Sequence, residues 1–263
     1  MNLIPFEKLE ASGNDFILFD CMEFEIVDLH DQKLMERLCD RRFGIGADGV
    51  LAVYPHPSFD FEMKYLNSDG RFSSFCGNGS RAISLYCAEK LGKTELNFVA
   101  RDGAHLSVIE NDLVSVRMKN LSDFQDHPLG FFVDTGSPHL IQEVDHPESC
   151  NVVLEGRQLR QKFSQEGTNV NFIQLNEEGL FIRTYERGVE DETLACGTGI
   201  TAAAYYFAIR NHKHGEVNVK VKSRGGDLTV SMIMDGRSAQ QVILKGPAHR
   251  VFSGFIDVEK LKI

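Results

Sequence analysis

Cys76-Gly77-Asn78-Gly79 opens the run SRAISLYCAEKLG (80–92), and Cys196-Gly197-Thr198-Gly199 opens ITAAAYYFAIRNHKHG (200–215). These two stretches, about 120 positions apart, decide the fold. In the first, Ile83, Cys87 and Leu91 recur at helical spacing and Gly92 supplies a stop. The second is alanine-rich and almost wholly apolar up to Ile209, which predicts a helix buried on most sides.

The similarity extends outward from both helices. ELNFVARDGAHLSV (95–108) matches VNVKVKSRGGDLTV (217–230), each an alternating strand, a glycine turn and a second strand. Upstream, MKYLNSDG places Asn67 nine residues before Cys76, and IRTYERG places Glu186 ten residues before Cys196. Further back, SGNDFILFD around Gly13 echoes TGSPHLIQEVD around Gly136. Four matched blocks in one order describe a duplicated α+β unit. The fold expected is two pseudo-symmetric domains, each a mixed sheet wrapped around a central helix, with an active site in the cleft between them. The seam is expected near residue 120, in KNLSDFQDHP, so that 1–119 form one half and 120–249 the other. The tail 250–263 is expected to join the first half. Hairpins are predicted at 176–179 and 224–227, and one extra amphipathic helix at 28–40, where Leu29, Met35 and Leu38 punctuate a charged background.

A cysteine followed by a glycine turn and a helix sits at the helix N-terminus, where unpaired N–H groups favour a thiolate. The glycines let backbone N–H groups approach an anion such as a carboxylate. One such site would suit a redox thiol or a nucleophile. Two at equivalent points of a duplication suggest two thiols aimed at one atom from opposite sides. Inversion at a carbon α to a carboxylate needs that arrangement: one thiolate removes a proton from one face and the opposite thiol delivers one to the other. Donors at the helix starts would stabilise the developing carbanion. The other cysteines, Cys21, Cys39, Cys87 and Cys150, read as small buried hydrophobes.

Bulk properties bound this reading. The 263 residues carry a net charge of −10, with 42% hydrophobic and 25% charged residues, as in an ordinary soluble protein. That balance argues against a nucleic-acid surface but leaves room for a locally positive pocket. The first residues, MNLIPFEKLEASGND, lack the pattern of a signal peptide, and no run approaches the roughly 18 apolar residues of a membrane span. A cytoplasmic enzyme with no nucleic-acid or membrane partner is expected. Six cysteines without CxxC pairs or zinc spacing should be free thiols.

Taken in order, GNDF (13–16), GIGADG (44–49), NSDG (67–70), CGNGSR (76–81), GSPH (136–139), TNVNF (168–172), YERG (185–188) and ACGTG (195–199) resemble the diaminopimelate epimerases over nearly the whole chain. The resemblance implies interconversion of LL- and meso-diaminopimelate without pyridoxal phosphate or metal, on the bacterial route to lysine and peptidoglycan. It implies Cys76 and Cys196 as the acid/base pair, and the backbones of Gly77, Asn78, Gly197 and Thr198 as the carboxylate cradle. Glu186 and His139 match residues beside the thiols, which help set thiol protonation and hold the reacting amino group. Asn14, Asn67, Asn169 and Arg187 match residues that grip the far end of the substrate, a small amino acid with a second charged head. A homodimer is implied as well. Departures lie at Glu10 and Ala11 before Asn14, at Ser137, where many members carry asparagine, and in the longer loop GVEDET (188–193).

Plainer readings stand beside these. GIGADG satisfies GxGxxG, yet it follows a predicted helix and precedes the strand VLAVY, the reverse of a dinucleotide-binding turn. Glu186 and Arg187 would face opposite ways on a regular strand, so both serve one site only if the glycine loop bends the backbone. Glu190-Asp191-Glu192 reads as a solvated acidic loop, and His212 and His214 as a helix end and not metal ligands. Two other functions share the paired thiols: a proline or hydroxyproline racemase, and a non-catalytic redox or anion-binding protein.

Overall fold

The computed structural model describes residues 3–261 except 74 and 165. The chain divides into two compact units, one holding the described residues up to Val116 and from Pro247 onward, the other Arg117–Gly246.

The first unit contains β1 (Leu3–Ala11), β2 (Asn14–Asp20), α1 (Gln32–Cys39), β3 (Gly49–Tyr54), β4 (Phe61–Asn67), α2 (Gly77–Leu91), β5 (Glu95–Ala100), β6 (Gly103–Glu110) and β7 (Leu113–Arg117). The C-terminal strand His249–Asp257 pairs antiparallel with β1. From there the pairings run β1–β2 antiparallel, β2–β3 parallel, β3–β4 antiparallel, β4–β5 parallel, then β5–β6 and β6–β7 antiparallel. The β2 run FILF is buried on both faces, as expected for a strand covered on each side. Phe16 and Leu18 pack with Leu51, Met63, Ile83 and Phe98 around α2. Ile17 and Phe19 face the other way, toward Met35 and Leu38 of α1.

The second unit contains β8 (Gln125–His127), β9 (Gly130–Asp134), β10 (Pro138–Glu143), α3 (Val152–Phe163), β11 (Asn169–Leu175), β12 (Gly179–Glu186), β13 (Asp191–Thr193), α4 (Gly197–Arg210), β14 (Gly215–Ser223), β15 (Gly226–Asp235) and β16 (Ser238–Pro247). Its pairings repeat the first unit's: β8–β9 and β9–β10 antiparallel, β10–β11 parallel, β11–β12 antiparallel, β12–β14 parallel, β14–β15 and β15–β16 antiparallel. The duplication read from the sequence is thus one topology written twice, with β13 inserted before α4. The alanines of α4 are fully buried, which explains why that helix carries so little polar surface.

Several expectations change. The helix expected over 28–40 runs only from Gln32 to Cys39, because Asp31 caps it by accepting the Leu34 N–H at 3.1 Å. Leu29 is buried in the chain that leads in, before the helix starts. The helix α3 was not expected at all. Val152, Leu159 and Phe163 lie at helical spacing, but Gly156 interrupts the stripe between them, and the helix buries only Val152 and Gly156. A Cβ on Gly156 would lie 2.4 Å from the Tyr185 Cβ, so this glycine lets the helix lie against β12. The acidic stretch after Gly188 is solvated only in part: Asp191 is exposed, but it opens β13, and its neighbours are engaged. Glu192 is 10% exposed and pairs with Arg183 at 2.7 Å and Arg224 at 2.9 Å, while Glu190 accepts from the Tyr185 hydroxyl and pairs with Arg160. Those arginines are distant in sequence, so local reading could not supply them. Cys150 is half-buried, packed at the edge of the small core around Val170 and Tyr185 and not inside it. The GIGADG turn is structural: a Cβ on Gly44 would overlap the Arg37 and Leu38 carbonyls.

One charged group pins the first hairpin to the turn after α1. Asp15 accepts both nitrogens of Arg41, at 3.0 and 2.6 Å, and pairs with the buried Lys8 at 2.7 Å. Burial alone would raise the Asp15 carboxyl, but hydrogen bonds from Arg41 and Lys8 outweigh it and bring it to about 2.

Two predictions follow from these contacts. Gly156→Ala, which in an open helix would gain up to about 1 kcal/mol, should here cost about 1–3 kcal/mol by overpacking; a urea midpoint equal to wild type would contradict this. The depressed Asp15 carboxyl contributes stability that is complete above about pH 4 and lost as pH falls toward 2, on the order of 1–2 kcal/mol. Asp15→Asn should therefore be less stable at neutral pH, and its stability should fall less between pH 4 and 2 than that of wild type, as read by denaturant titration at each pH.

Candidate active site

Each of the two central helices starts immediately after a cysteine. Cys76 and Cys196 both have extended backbone, at φ −137°, ψ 114° and φ −116°, ψ 111°. In each case the cysteine carbonyl accepts the first helical bond, from Ser80 N–H at 2.7 Å and from Ile200 N–H at 2.8 Å. Within the first turn, N–H groups have no carbonyl four residues back in the helix and can receive an anion. The Cys76 sulfur takes one of them, the Gly79 N–H at 3.4 Å.

Around Cys76 the polar groups are locked in orientation. Asn14 Nδ2 donates to Asp48 Oδ2 at 2.7 Å, and Arg41 holds that carboxylate at 2.7 Å. The Asn14 Oδ1 accepts from Asn78 Nδ2 at 3.3 Å and lies 3.9 Å from the Cys76 sulfur. Asn78 is oriented in turn by Arg81, which donates to its Oδ1 at 3.1 Å and to Ser12 Oγ at 2.9 Å. Arg81 is fully buried in α2, and burial lowers its guanidinium to about 10, so it stays charged at neutral pH.

Around Cys196 the chemistry differs. Its sulfur lies 3.4 Å from Thr198 Oγ1, which lies 2.9 Å from His139 Nε2. The other ring nitrogen, His139 Nδ1, lies 3.1 Å from Asn171 Nδ2. His139 is fully buried, and burial foremost, then the positive charge of Arg187, pushes its imidazole down to about 3. It is neutral at physiological pH. A Cβ on Gly199 would come within 2.5 Å of Asn171 Oδ1 and 3.2 Å of the His139 ring, so the second glycine of the motif also admits this buried pair.

The remaining candidates fall in three places. Glu186 ends β12, where its Oε2 accepts from the Thr193 hydroxyl at 2.9 Å. Arg187 lies just beyond the strand, exposed, and Gly188 at φ 93° turns the chain, so strict strand alternation no longer separates the two. Asn169 is buried and its amide is engaged: it accepts the Arg187 N–H at 2.8 Å and donates to Ser137 Oγ and the Pro138 carbonyl. Asn67 is exposed at the end of β4, opposite Gly49. Gly77, Asn78 and Gly197 are buried at the helix starts, and Thr198 is half-buried.

The structure thus joins Asn14, Asn78 and Cys76 in the first unit, and His139, Thr198 and Cys196 in the second. Sequence reading missed Asp48, Arg81 and Asn171, which orient those groups. A charged residue inside an otherwise buried helix could have pointed to Arg81, and an asparagine inside a strand core to Asn171. Among the described residues no group of three or more His, Cys, Asp or Glu side chains could hold a metal ion. A cavity of about 750 Å³ in the second unit, lined by Phe124, His127, Phe131, Tyr206 and Arg210 among others, includes none of the candidate residues.

Comparison with known proteins gives a consistent answer. The family model described as diaminopimelate epimerase matches residues 6–120 and 131–251. A diaminopimelate epimerase from Flavobacterium psychrophilum is 42% identical over 93% of this chain and 97% of its own length. One from Chlorobaculum tepidum is 38% identical over 94% and 99%. Among solved structures, a Bacillus anthracis phenazine biosynthesis protein of the PhzF family has a TM-score of 0.76 at 16% identity, covering 98% of this chain and 100% of that one. A hydroxyproline epimerase from Agrobacterium vitis has a TM-score of 0.70 at 14% identity, over 97% and 92%. The structural likenesses establish the two-unit fold alone. With the family model covering most of its length and relatives well above 30% identical, the chain belongs to the diaminopimelate epimerase family.

Proposed function

We propose that this protein interconverts LL- and meso-diaminopimelate by moving a proton at the α-carbon between Cys76 and Cys196. The observation that carries the reading is a cysteine immediately before the central helix at matched points of two duplicated units, in a chain of this family. Inversion needs a base on one face of the carbon and an acid on the other. A thiolate takes the α-proton, and the opposing thiol gives its proton to the carbanion. The first thiolate becomes a thiol and the second a thiolate, so the enzyme ends poised for the reverse reaction.

The carbanion's charge passes into the substrate carboxylate. Backbone N–H groups at Gly77, Asn78, Gly197 and Thr198 are suited to receive it, with the helix dipoles adding to their effect. No step requires pyridoxal phosphate or metal. In this reading Glu186 and His139 act near the thiols, on the reacting amino group and on thiol protonation. Asn14, Asn67 and Arg187 would bind the distal amino and carboxylate groups, where a guanidinium and amides match the charge. Asn169 serves the same end by holding the backbone of Arg187. The protein is read as cytoplasmic on its sequence and as a homodimer on its family resemblance, and sedimentation equilibrium would test the latter.

Reduced protein incubated with LL-diaminopimelate in D2O should produce the meso isomer carrying deuterium at the inverted carbon. Absence of both the isomer and the deuterium would sink the reading. Replacing either thiol, as Cys76→Ala or Cys196→Ala, should lower kcat about 10²–10⁴-fold with circular dichroism unchanged. Because one thiol must start ionised and the other protonated, kcat/KM should be bell-shaped in pH. A plateau extending to high pH would contradict the two-thiol scheme.

A further inference from the structure

The two units place different chemistry beneath equivalent helix starts. In the first, β2 and β3 pair Phe16 with Gly49, and Leu51 pairs with Tyr65 of β4. In the second, β10 and β11 pair His139 with Asn169, and Asn171 pairs with Thr184 of β12. Phe16, Leu51 and Tyr65 therefore correspond to His139, Asn171 and Thr184, so that two fully apolar core side chains, Phe16 and Leu51, stand where the second unit has His139 and Asn171. The correspondence holds against the helices too. A Cβ on Gly79 would touch Leu51, and one on Gly199 would touch Asn171 and His139. Burying His139 and Asn171 where the duplicate buries Phe16 and Leu51 is costly unless each is hydrogen-bonded, so the directions of those bonds matter.

The directions can be read one bond at a time. Asn171 Oδ1 accepts from the Thr184 hydroxyl at 3.0 Å, and its Nδ2 donates to the Leu140 carbonyl at 3.2 Å. A carbonyl can only accept, so the amide cannot be reversed. The nitrogen facing His139 Nδ1 is therefore a donor, and Nδ1 must be the bare, accepting nitrogen of a neutral ring. Its proton sits on Nε2, which donates to Thr198 Oγ1. With that acceptor position filled, the Thr198 hydroxyl is set to donate its own proton to the Cys196 sulfur at 3.4 Å.

We propose that Asn171 and Thr198 are positioning residues that fix the His139 tautomer and, through it, aim a hydroxyl donor at Cys196 to hold that sulfur as the thiolate. A hydrogen bond to the anionic form favours it over the neutral one. At Cys76 the Gly79 N–H donates to the sulfur at 3.4 Å, and the Asn14 Oδ1, an acceptor, lies 3.9 Å away. The charged group acting on the His139 ring is Arg187, which opposes a second proton. Asn171 and Thr198, bonded to the ring, and Thr184, bonded to Asn171, are neutral, and the titrating group that Thr198 reaches is Cys196. His139 therefore acts as a neutral donor and not as an imidazolium. This refines the role of one thiol in the function proposed above and rests on that reading for its catalytic meaning.

The test needs no diaminopimelate, so its failure is distinct from failure of that function. In protein labelled with ¹⁵N-histidine, the His139 ring, assigned by its loss in His139→Gln, should show a bare Nδ1 and a protonated Nε2 from pH 5 to 8. A protonated Nδ1, alone or in an imidazolium, overturns the proposal. Iodoacetamide alkylation of the two thiols, followed peptide by peptide across pH, supplies the second arm. Thr198→Val should raise the Cys196 midpoint by about one pH unit, a tenfold smaller thiolate fraction, and leave Cys76 unmoved. Asn171→Leu, which copies Leu51 of the first unit, should move Cys196 in the same direction, and Thr198→Ser should restore the wild-type midpoint. Unchanged Cys196 midpoints in both Thr198→Val and Asn171→Leu would also overturn it. If a variant loses its fold, both cysteines shift together and the wild-type tautomer decides.

Discussion

The structure depends on a helix that begins immediately after a cysteine. At such a point the backbone carries donors with no partner inside the helix, so the thiol and an anion meet the same local positive charge. The motif glycines bring the first turn of each helix close to the sheet beneath it, at Leu51 in one unit and Asn171 in the other. Extended backbone at each cysteine closes the loop that leads in and sets the cysteine carbonyl to accept the first helical bond.

Duplication supplies the geometry twice but does not copy the chemistry. Both units share the order of parallel and antiparallel pairings, and the C-terminal strand completes the first in the way β8 completes the second. Beneath the helix that Cys76 starts, the sheet presents Leu51 and Met63, and the polar control comes through Arg81, Asn78, Asn14 and Asp48. Beneath Cys196 the sheet itself is polar, and control comes from below through Asn171 and His139. A racemising pair must differ in protonation at any instant, so unlike settings for like thiols match what the reaction demands.

Much of this was legible in the sequence because it is local. The CGxG turns, the Gly92 stop and the paired hairpins are each written within a few residues, and repetition turned weak signals into a pair. The missing parts depend on distance. Helix α3 is hidden by Gly156, whose reason is Tyr185 on another element. The clamp at Glu192 requires Arg183 and Arg224. His139 looked like a lone histidine following a proline, and its meaning comes from occupying the place of the core residue Phe16. Asn171 was visible inside TNVNF, but only the Leu140 carbonyl and the Thr184 hydroxyl show which way its amide points.

The central claim is that two thiols work from opposite faces of one carbon. Early in the conversion of LL-diaminopimelate in D2O, before the reverse reaction counts, the two isomers should be separated and their deuterium measured. The account predicts deuterium at the inverted carbon of nearly every meso molecule and almost none in the remaining LL substrate, because the proton removed and the proton delivered ride on different sulfurs. Meso product that retains the substrate's own hydrogen, or LL substrate labelled as fast as product appears, would mean a single base serving both faces and would contradict it.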